Sequence, residues 1–567
     1  MTESLATSPR KPWAKSAART GWAVLILATL YVSYFSHLGT IGFVGPDEPR
    51  YAWIARDMFE TGDWVTPRLY GKPWFEKPPL YYWGAAVGFK LFGVREAAAR
   101  LPSAISALLL TLALGWLALR LYGRETALWL LLLLPTSLGM MGFSHAAATD
   151  MPFSGMLTIA MVSAAVVLGL TRNENTPVIP RTPWLALISF GFFLGLAVLA
   201  KGPAAILLSG GAVFFWAVFT KRWRDAFRLF HPAAIVAFCL TALPWYVLCA
   251  RRNPDFFRIF IIEHNFKRFL TPEFQHIQPF WFYGPILILA VLPWSATFLW
   301  AAFTGGIWVT RQPSLPRAAA FFACWIAFCL VFFSVSQSKL PGYILPAIPP
   351  VLLFLARSLV TWARNNRRAF GAVHLLFALG LLGVAEFLGA LRIRAVADST
   401  AILFVAVRVL LLLAIPNLLM GLAFWPAKNV RIQNSLLALA MASLTCSIFF
   451  ADRILQDLQP IYWREKDLAS QLLARGVPKD RTYLYWAVSR NTRYALSFYL
   501  HQELQDWDQN AEADGYVVSG SVDCGRLRKR GFNCEEVPLG ASAKGWFVSH
   551  VTAKSSVNRP ASSGKPQ

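Results

Sequence analysis

Charge is what this sequence has little of. Only 15% of its 567 residues are Asp, Glu, Lys or Arg, against 56% hydrophobic, and the mean hydropathy is +0.46. An ordinary soluble enzyme, about a quarter charged, is thereby excluded. Cysteine is scarce as well: the seven are scattered and none forms a C-x-x-C pair, so a disulfide framework, a redox motif and a zinc ribbon find little support. Glycine-loop chemistry is also missing. Lys72 follows a glycine in TPRLYGKP, but the first glycine and the Ser/Thr of a P-loop are absent, and nucleotide hydrolysis has no visible site. No G-x-S-x-G elbow occurs, and His264 and His276 stand too far apart for a helical zinc pair. Acidic residues are outnumbered 54 to 30, giving a net charge of +24. In a soluble chain that excess would point to nucleic acid; here, with no nucleic-acid partner expected, it is read first as topology.

What the sequence has instead is long apolar runs. Runs of about 20 residues recur from position 21 to position 451, each long enough to cross ~30 Å of hydrocarbon as a helix. Thirteen spans are expected: 21–43, 98–119, 125–143, 151–170, 183–200, 203–220, 231–250, 280–304, 318–336, 341–361, 369–391, 401–424 and 432–451. The first reads as an uncleaved helix rather than a signal peptide, because no small-residue cleavage site follows it. The run 79–93 is short, rich in Tyr and Trp and carries Lys90; it is expected to lie at the interface. The chain is therefore an all-α polytopic membrane protein with a tail at 1–20 and a membrane domain at 21–451. Charges and turn residues return after 451, with strand-length runs TYLYWAV, GYVVSG and GWFVSHV and an amphipathic stretch near 491–505. A small α/β domain over 452–555 is expected, then a disordered tail at 556–567. Cys524 and Cys534 fall in that domain, where a bridge and two free thiols are both open.

Counting Lys and Arg orients the spans. With the N-terminus in the cytoplasm, nineteen basic residues fall on inner loops and four on short outer ones, as the positive-inside preference asks. Two long outer loops, 44–97 and 251–279, go against it, with twelve cations between them. An anionic ligand on the outer face is the simplest reason.

The acid and base residues that stand out gather on that same face. Asp47, Glu48 and Arg50 open the first loop in GPDEPRYAWIARDM, and Glu76, Lys77 and Tyr81 close it in GKPWFEKPPLYYW. Asp150 lies in ATDMP, Lys201 in AKGP, His264, Lys267 and Arg268 in IIEHNFKRF, and Lys339 and Tyr343 in SKLPGYILP. Taken singly, each is better explained as a helix-end residue in water; Asp150 would cap its helix and Lys339 would snorkel. As a set converging on one surface they form a candidate active site, in which Lys, Arg and Tyr rather than a glycine loop would meet a phosphate.

These loop motifs resemble the ArnT family, the 4-amino-4-deoxy-L-arabinose transferases of lipid A modification, within the wider group of dolichyl-phosphate-mannose protein mannosyltransferases. The likeness extends over about residues 20–361. It implies a GT-C fold of about thirteen transmembrane helices with a periplasmic α/β domain, in the bacterial inner membrane. It also implies an undecaprenyl-phosphate-linked sugar as donor, a lipid A phosphate as acceptor, and no nucleotide. By motif, Asp47 and Asp150 match the family's acidic positions. Lys77, Lys267, Arg268, Tyr343 and Arg50 would meet the donor phosphate, with Glu48, Lys201, Lys339 and Tyr81 in support. Glu76 and His264 would hold a divalent metal (Zn, Mg or Mn), although one carboxylate and one imidazole do not by themselves define such a site. Rival readings are a transferase of another sugar or onto a protein hydroxyl, a lipid transporter, which predicts inverted repeats that are not seen, and a structural protein indifferent to Asp47.

Overall fold

We describe the chain in a computed structural model, over residues 12–171, 182–267, 277–310, 316–392, 397–425, 430–456, 465–485, 488–507, 514–529, 532–540 and 545–552. Arg268, His276, most of the N-terminal tail and the C-terminal tail lie outside these residues. The chain divides into two compact units. One comprises Met1–Thr40 and Ile54–Gln456, the other Ile41–Trp53 and Asp457–Gln567. The sequence draws this boundary at 451/452 and leaves the first loop with the membrane domain; the structure groups Ile41–Trp53 with the C-terminal residues.

The first unit is helical and apolar. Among the described residues nine helices are long and apolar enough to cross a membrane, or ten if a bent pair is taken as one span. Three shorter apolar helices, Thr20–Tyr34, Ala204–Thr220 and Phe280–Ala290, stand at other expected positions, so the count of thirteen is not confirmed. The first helix, Pro12–Tyr34, starts earlier and stops sooner than expected, giving way to turns through Thr40.

Two expected spans are broken, and the breaks meet. Arg124–Thr136 and Leu138–Ser144 bend by 58° about Ser137, and Phe280–Thr310 is interrupted between Ala290 and Ser295. In hydrocarbon every backbone polar group needs an internal partner. Here the Leu138 amide donates to the Leu292 carbonyl at 2.8 Å, and the Trp294 indole donates to Thr136 Oγ1 at 3.0 Å.

Helices elsewhere in the unit approach through small residues, which replace the hydrophobic drive that lipid cannot supply. A Cβ on Gly191 would lie 2.0 Å from the Ala234 carbonyl oxygen, so helices Trp184–Lys201 and Pro232–Arg252 can pack at this distance only with glycine there. The helix Asp150–Val167 is buried along nearly its whole length, which places Asp150 at the end of the best-packed element of the unit.

The first loop is more structured than its loop-like composition suggests. Asp47–Thr61 is a helix within which the boundary between the units falls, and it is followed by a short hairpin of β1 (Arg68–Leu69) and β2 (Lys72–Pro73) and by the helix Leu80–Phe92. At 13 residues, or about 20 Å, the last is too short to span hydrocarbon, and it buries Tyr81, Tyr82, Ala85, Ala86 and Phe89.

Asp63 anchors this loop. It accepts from the Val65 and Thr66 amides at 3.0 and 3.2 Å and pairs with Arg252 at 3.0 Å and Arg68 at 3.5 Å. Partial burial alone would raise its pKa, but those two amides and the two guanidinium groups hold it below the ordinary carboxylate value. A depressed acid contributes stability above its unfolded pKa, near 4, and loses it as pH falls through the lower folded value. The melting-temperature advantage of the unmodified chain over Asp63→Asn is therefore expected at pH 6 and to shrink below pH 4. An advantage constant with pH would show that Asp63 acts without its charge.

In the other unit β3 (Thr482–Leu484), β4 (Gly515–Ser519), β5 (Asn533–Glu536) and β6 (Phe547–Thr552) form one mixed sheet. Its order is β3-β4-β6-β5, with β3 parallel to β4 and the other pairs antiparallel. Three of these strands fall in the expected runs; β5, with its N-C-E-E sequence, carries no strand signal. The amphipathic stretch is the helix Arg490–Leu500, capped by Ser489, whose hydroxyl accepts from the Thr492 amide. Cys524 and Cys534 are bridged, Cα to Cα 5.5 Å, tying the helix Cys524–Lys529 to β5.

Candidate active site

Phe75, Leu199, Trp245, Cys249, Phe256 and Phe260 form one apolar cluster of the membrane unit. Phe75 meets Phe256 edge-on at 5.3 Å, and Phe256 stacks on Phe260 at 5.6 Å. Phe75 immediately precedes Glu76, Leu199 precedes Lys201 by two residues, and Phe260 precedes His264 by four. Burial of these apolar neighbours is thus what draws the GKPWFEK, AKGP and IIEHNF stretches together.

Two further stretches meet at Lys201. This residue ends the helix Trp184–Lys201, and its ammonium donates to Asp150 Oδ1 at 2.5 Å. It also lies 4.7 Å from the centre of the Tyr343 ring and 5.6 Å from that of Phe153. The side chains of Lys201 and Asp150 are only 13% and 20% exposed, so each charge depends on the other. The ring faces add a cation–π contribution, and Asp150, in the first turn of its helix, also benefits from the positive end of the helix dipole.

Gly342 makes room for this arrangement. A Cβ there would sit 2.8 Å from Asp150 Oδ1 and 2.8 to 2.9 Å from the Phe143 ring. Its only signal in the sequence is its place in the P-G-Y run; Phe143 and Phe153 carried none.

Glu76 is buried and lies 3.6 Å from the Lys77 ammonium, itself only 12% exposed. His264, half-buried, and Lys267, exposed, belong to the π-helical turns Arg258–Lys267, a form enriched at functional sites. Lys339 is buried and donates to the Ser336 carbonyl at 2.6 Å, so it braces its own turn rather than snorkelling. Tyr81, expected in support, is fully buried, and its hydroxyl donates to the Ala99 carbonyl at 2.8 Å. It is a strut between the helices Leu80–Phe92 and Glu96–Tyr122, since a Tyr on the packed face of a short helix needs a buried partner for its hydroxyl.

The other unit holds the remaining candidates. Asp47 is the first residue of a helix, not a loop residue as its Gly-Pro setting suggests. Arg50, expected at the donor phosphate, is buried and donates to Asp47 Oδ1 at 2.5 Å. Its guanidinium also lies against the Tyr51 and Tyr494 rings, at 5.2 and 5.7 Å. Glu48 reaches back to accept from the Val44 amide at 2.6 Å. Asp47 itself is 52% exposed, a carboxylate aimed by a buried cation yet open to a ligand.

The twelve cations of the two long loops now divide. Arg50, Arg56, Arg68, Arg252 and Arg258 each have a carboxylate at 3.5 Å or less, so an anionic ligand is not needed to explain those five, whereas Lys77 stands 3.6 Å from Glu76. No group of three or more His, Cys, Asp or Glu among the described residues is placed to hold a metal ion.

A family model described as dolichyl-phosphate-mannose-protein mannosyltransferase matches residues 22–260. Among curated relatives, an undecaprenyl phosphate-alpha-4-amino-4-deoxy-L-arabinose arabinosyl transferase of Erwinia tasmaniensis is 32% identical over 354 residues, 62% of this chain and 62% of its own. One of the same name from Yersinia pestis is 35% identical over 349 residues, 61% of each chain. The chain thus spans a little under two thirds of the length of these relatives. Among solved structures, ArnT from Cupriavidus metallidurans bound to undecaprenyl phosphate superposes with a TM-score of 0.74 at 24% identity, covering 95% of this chain and 99% of that one. The apo form gives 0.72, covering 94% and 98%. The expected architecture, a polytopic helical body with a small C-terminal sheet, is the fold of that structure. The chain is ArnT-like: it has the fold of that structure and is about a third identical, over somewhat less than two thirds of its length, to the arabinosyl transferases.

Proposed function

We propose that this protein transfers a sugar, 4-amino-4-deoxy-L-arabinose, from undecaprenyl phosphate to a phosphate of lipid A. The observation that carries the reading is the convergence of the GKPWFEK, ATDMP, AKGP, IIEHNF and SKLPGYILP stretches within a chain of ArnT fold. The relatives named above are described as acting with this lipid-linked sugar.

In the reaction an acceptor oxygen attacks the sugar C1 while the bond from C1 to the undecaprenyl phosphate oxygen breaks. The electron pair leaves with that phosphate, and C1 inverts. Lys77, Lys267, Arg268 and Tyr343 are the donors assigned to the departing phosphate, where fixed positive charge lowers the barrier. Lys201 is neutralised by Asp150, so this pair is assigned to holding Tyr343 rather than to the phosphate. An acceptor phosphate is already anionic and yields no proton; Asp47 then orients it and steadies positive charge on the sugar ring. With a hydroxyl acceptor, the reading that the mannosyltransferase family model favours, Asp47 would instead take the proton as general base.

A divalent metal at Glu76 and His264 remains a proposal. Glu76 and His264 would hold it, and its charge would offset that of the donor phosphate. Loss of turnover in EDTA, restored by Mn²⁺ or Mg²⁺, is the result expected of it. Turnover indifferent to EDTA removes the metal and leaves the rest of the scheme standing.

The site is assigned to the periplasmic face of the inner membrane. The Lys and Arg distribution supports this orientation, and the Cys524–Cys534 bridge suits an oxidising compartment. Mass spectrometry of lipid A tests the whole reading, using a bacterium that lacks its own aminoarabinose transferase, makes the donor, and expresses either this chain or Asp47→Asn. A pentosamine-sized addition only with the unmodified chain supports it. Unmodified lipid A from well-expressed protein overturns the acceptor or the sugar, and O-glycosylated peptides in the same cells would favour a protein hydroxyl.

A further inference from the structure

Asp47 opens its helix in a segment that belongs to the same compact unit as the residues after Asp457, and its bonds there make a connected support. The Phe43 amide, four residues before Asp47, donates to the Tyr499 hydroxyl at 3.0 Å. The Phe43 ring is buried edge-on against Phe498 at 4.9 Å and stacked on Tyr499 at 5.9 Å. Glu48 closes the intervening turn onto the Val44 amide. On the other side of Asp47, Tyr494 lies against the guanidinium of Arg50, which holds the Asp47 carboxylate. One turn further, the Trp53 ring meets His501 at 5.9 Å. Tyr494, Phe498 and Tyr499 all belong to Arg490–Leu500, and His501 caps that helix.

We infer that the helix Arg490–Leu500 is the platform that aims Asp47, with Tyr499 and Tyr494 as positioning residues: Tyr499 fixes the backbone leading into the Asp47 helix, and Tyr494 backs the arginine that holds the carboxylate. The C-terminal unit is then part of the catalytic apparatus, whatever it contributes to acceptor choice. The assignment to catalysis rests on the function proposed above; the assignment to platform rests on the contacts alone. A displaced carboxylate lowers turnover more than donor affinity, because ångström-scale misplacement costs up to about a hundredfold in rate.

The experiment uses the full chain in nanodiscs. Hydrogen exchange of the peptide covering residues 41–53 is read by mass spectrometry, and turnover is read with undecaprenyl-phosphate aminoarabinose and Kdo2-lipid A. Tyr499→Phe and Tyr494→Leu are each expected to speed exchange of that peptide about tenfold, as loss of a fixing contact frees local opening. They should leave exchange of the 150–167 helix unchanged. The same variants should lower kcat about tenfold or more at a constant KM for the donor, and Tyr494→Phe, which keeps the ring, should restore both readouts. In an Arg50→Ala background Tyr494→Leu should cost nothing further in kcat, since Tyr494 acts through that arginine. Unchanged exchange at 41–53 in Tyr499→Phe and Tyr494→Leu overturns the platform even if no sugar is transferred. Faster exchange with no turnover by the unmodified chain keeps the platform and overturns the proposed donor and acceptor. Faster exchange with full kcat in both variants, or a further multiplicative loss on Arg50→Ala, overturns the positioning role.

Discussion

Asp47→Asn is expected to lower turnover by about 10²- to 10³-fold, the range associated with a lost fixed electrostatic contact to the transition state, with little change in the folded state. The residue is half exposed and bonds through Oδ1 to Arg50. An asparagine keeps an oxygen at that position, so Arg50 retains a hydrogen bond while the negative charge disappears. Single-turnover assays with donor and lipid A would read the chemical step, and melting in detergent would report on the fold. A loss of rate together with a large fall in melting temperature would point to a structural role for Asp47. Undiminished turnover would remove it from the mechanism.

The second large effect is expected at the Asp150–Lys201 pair. Lys201→Met deletes one member of a mostly buried ion pair and leaves a carboxylate with little water, at a cost of about 3 kcal/mol for pairs of this kind. Asp150→Asn leaves the ammonium between the Phe153 and Tyr343 rings, a milder loss because those faces still favour a cation. The double variant should recover much of the stability lost in Lys201→Met, since the mostly buried carboxylate is then no longer charged, while turnover stays low because Tyr343 has lost its clamp. Melting temperatures of the four proteins form the cycle. Additive losses in stability would show that the two residues act independently despite the 2.5 Å contact between them.

Much of the fold could be read from apolar run length, because a lipid solvent imposes a simple rule on helix length. Where that rule is bent by neighbours, the reading fell short. The breaks at Ser137 and between Ala290 and Ser295 are marked only by Pro135 and Pro293 inside unbroken apolar runs, and what the sequence does not show is that they meet, through the Leu138 amide on the Leu292 carbonyl and the Trp294 indole on Thr136. The site residues were legible as types, acids and bases at helix ends, but not as pairs. Nothing in the sequence says that Asp63 consumes Arg68 and Arg252, or that Arg50 holds Asp47. The motif around Tyr81 places it near Glu76 and Lys77 but not against Ala99, because its direction is set by packing on the next helix. The tyrosines of Arg490–Leu500 were invisible as site residues, since a contact more than four hundred positions away leaves no local pattern.

That separation has a consequence for how the protein is made. The Phe43 amide leaves the ribosome 456 residues before the Tyr499 hydroxyl that receives it, which at ordinary rates of synthesis is roughly 20 to 90 s. Throughout that interval the DEPR segment has been translated without the aromatic surface it folds on. A chain released early, lacking only its final hundred residues, could insert every apolar helix and still leave that segment unsupported. Completion of the helix Arg490–Leu500 would therefore act as a check on the helix that opens at Asp47.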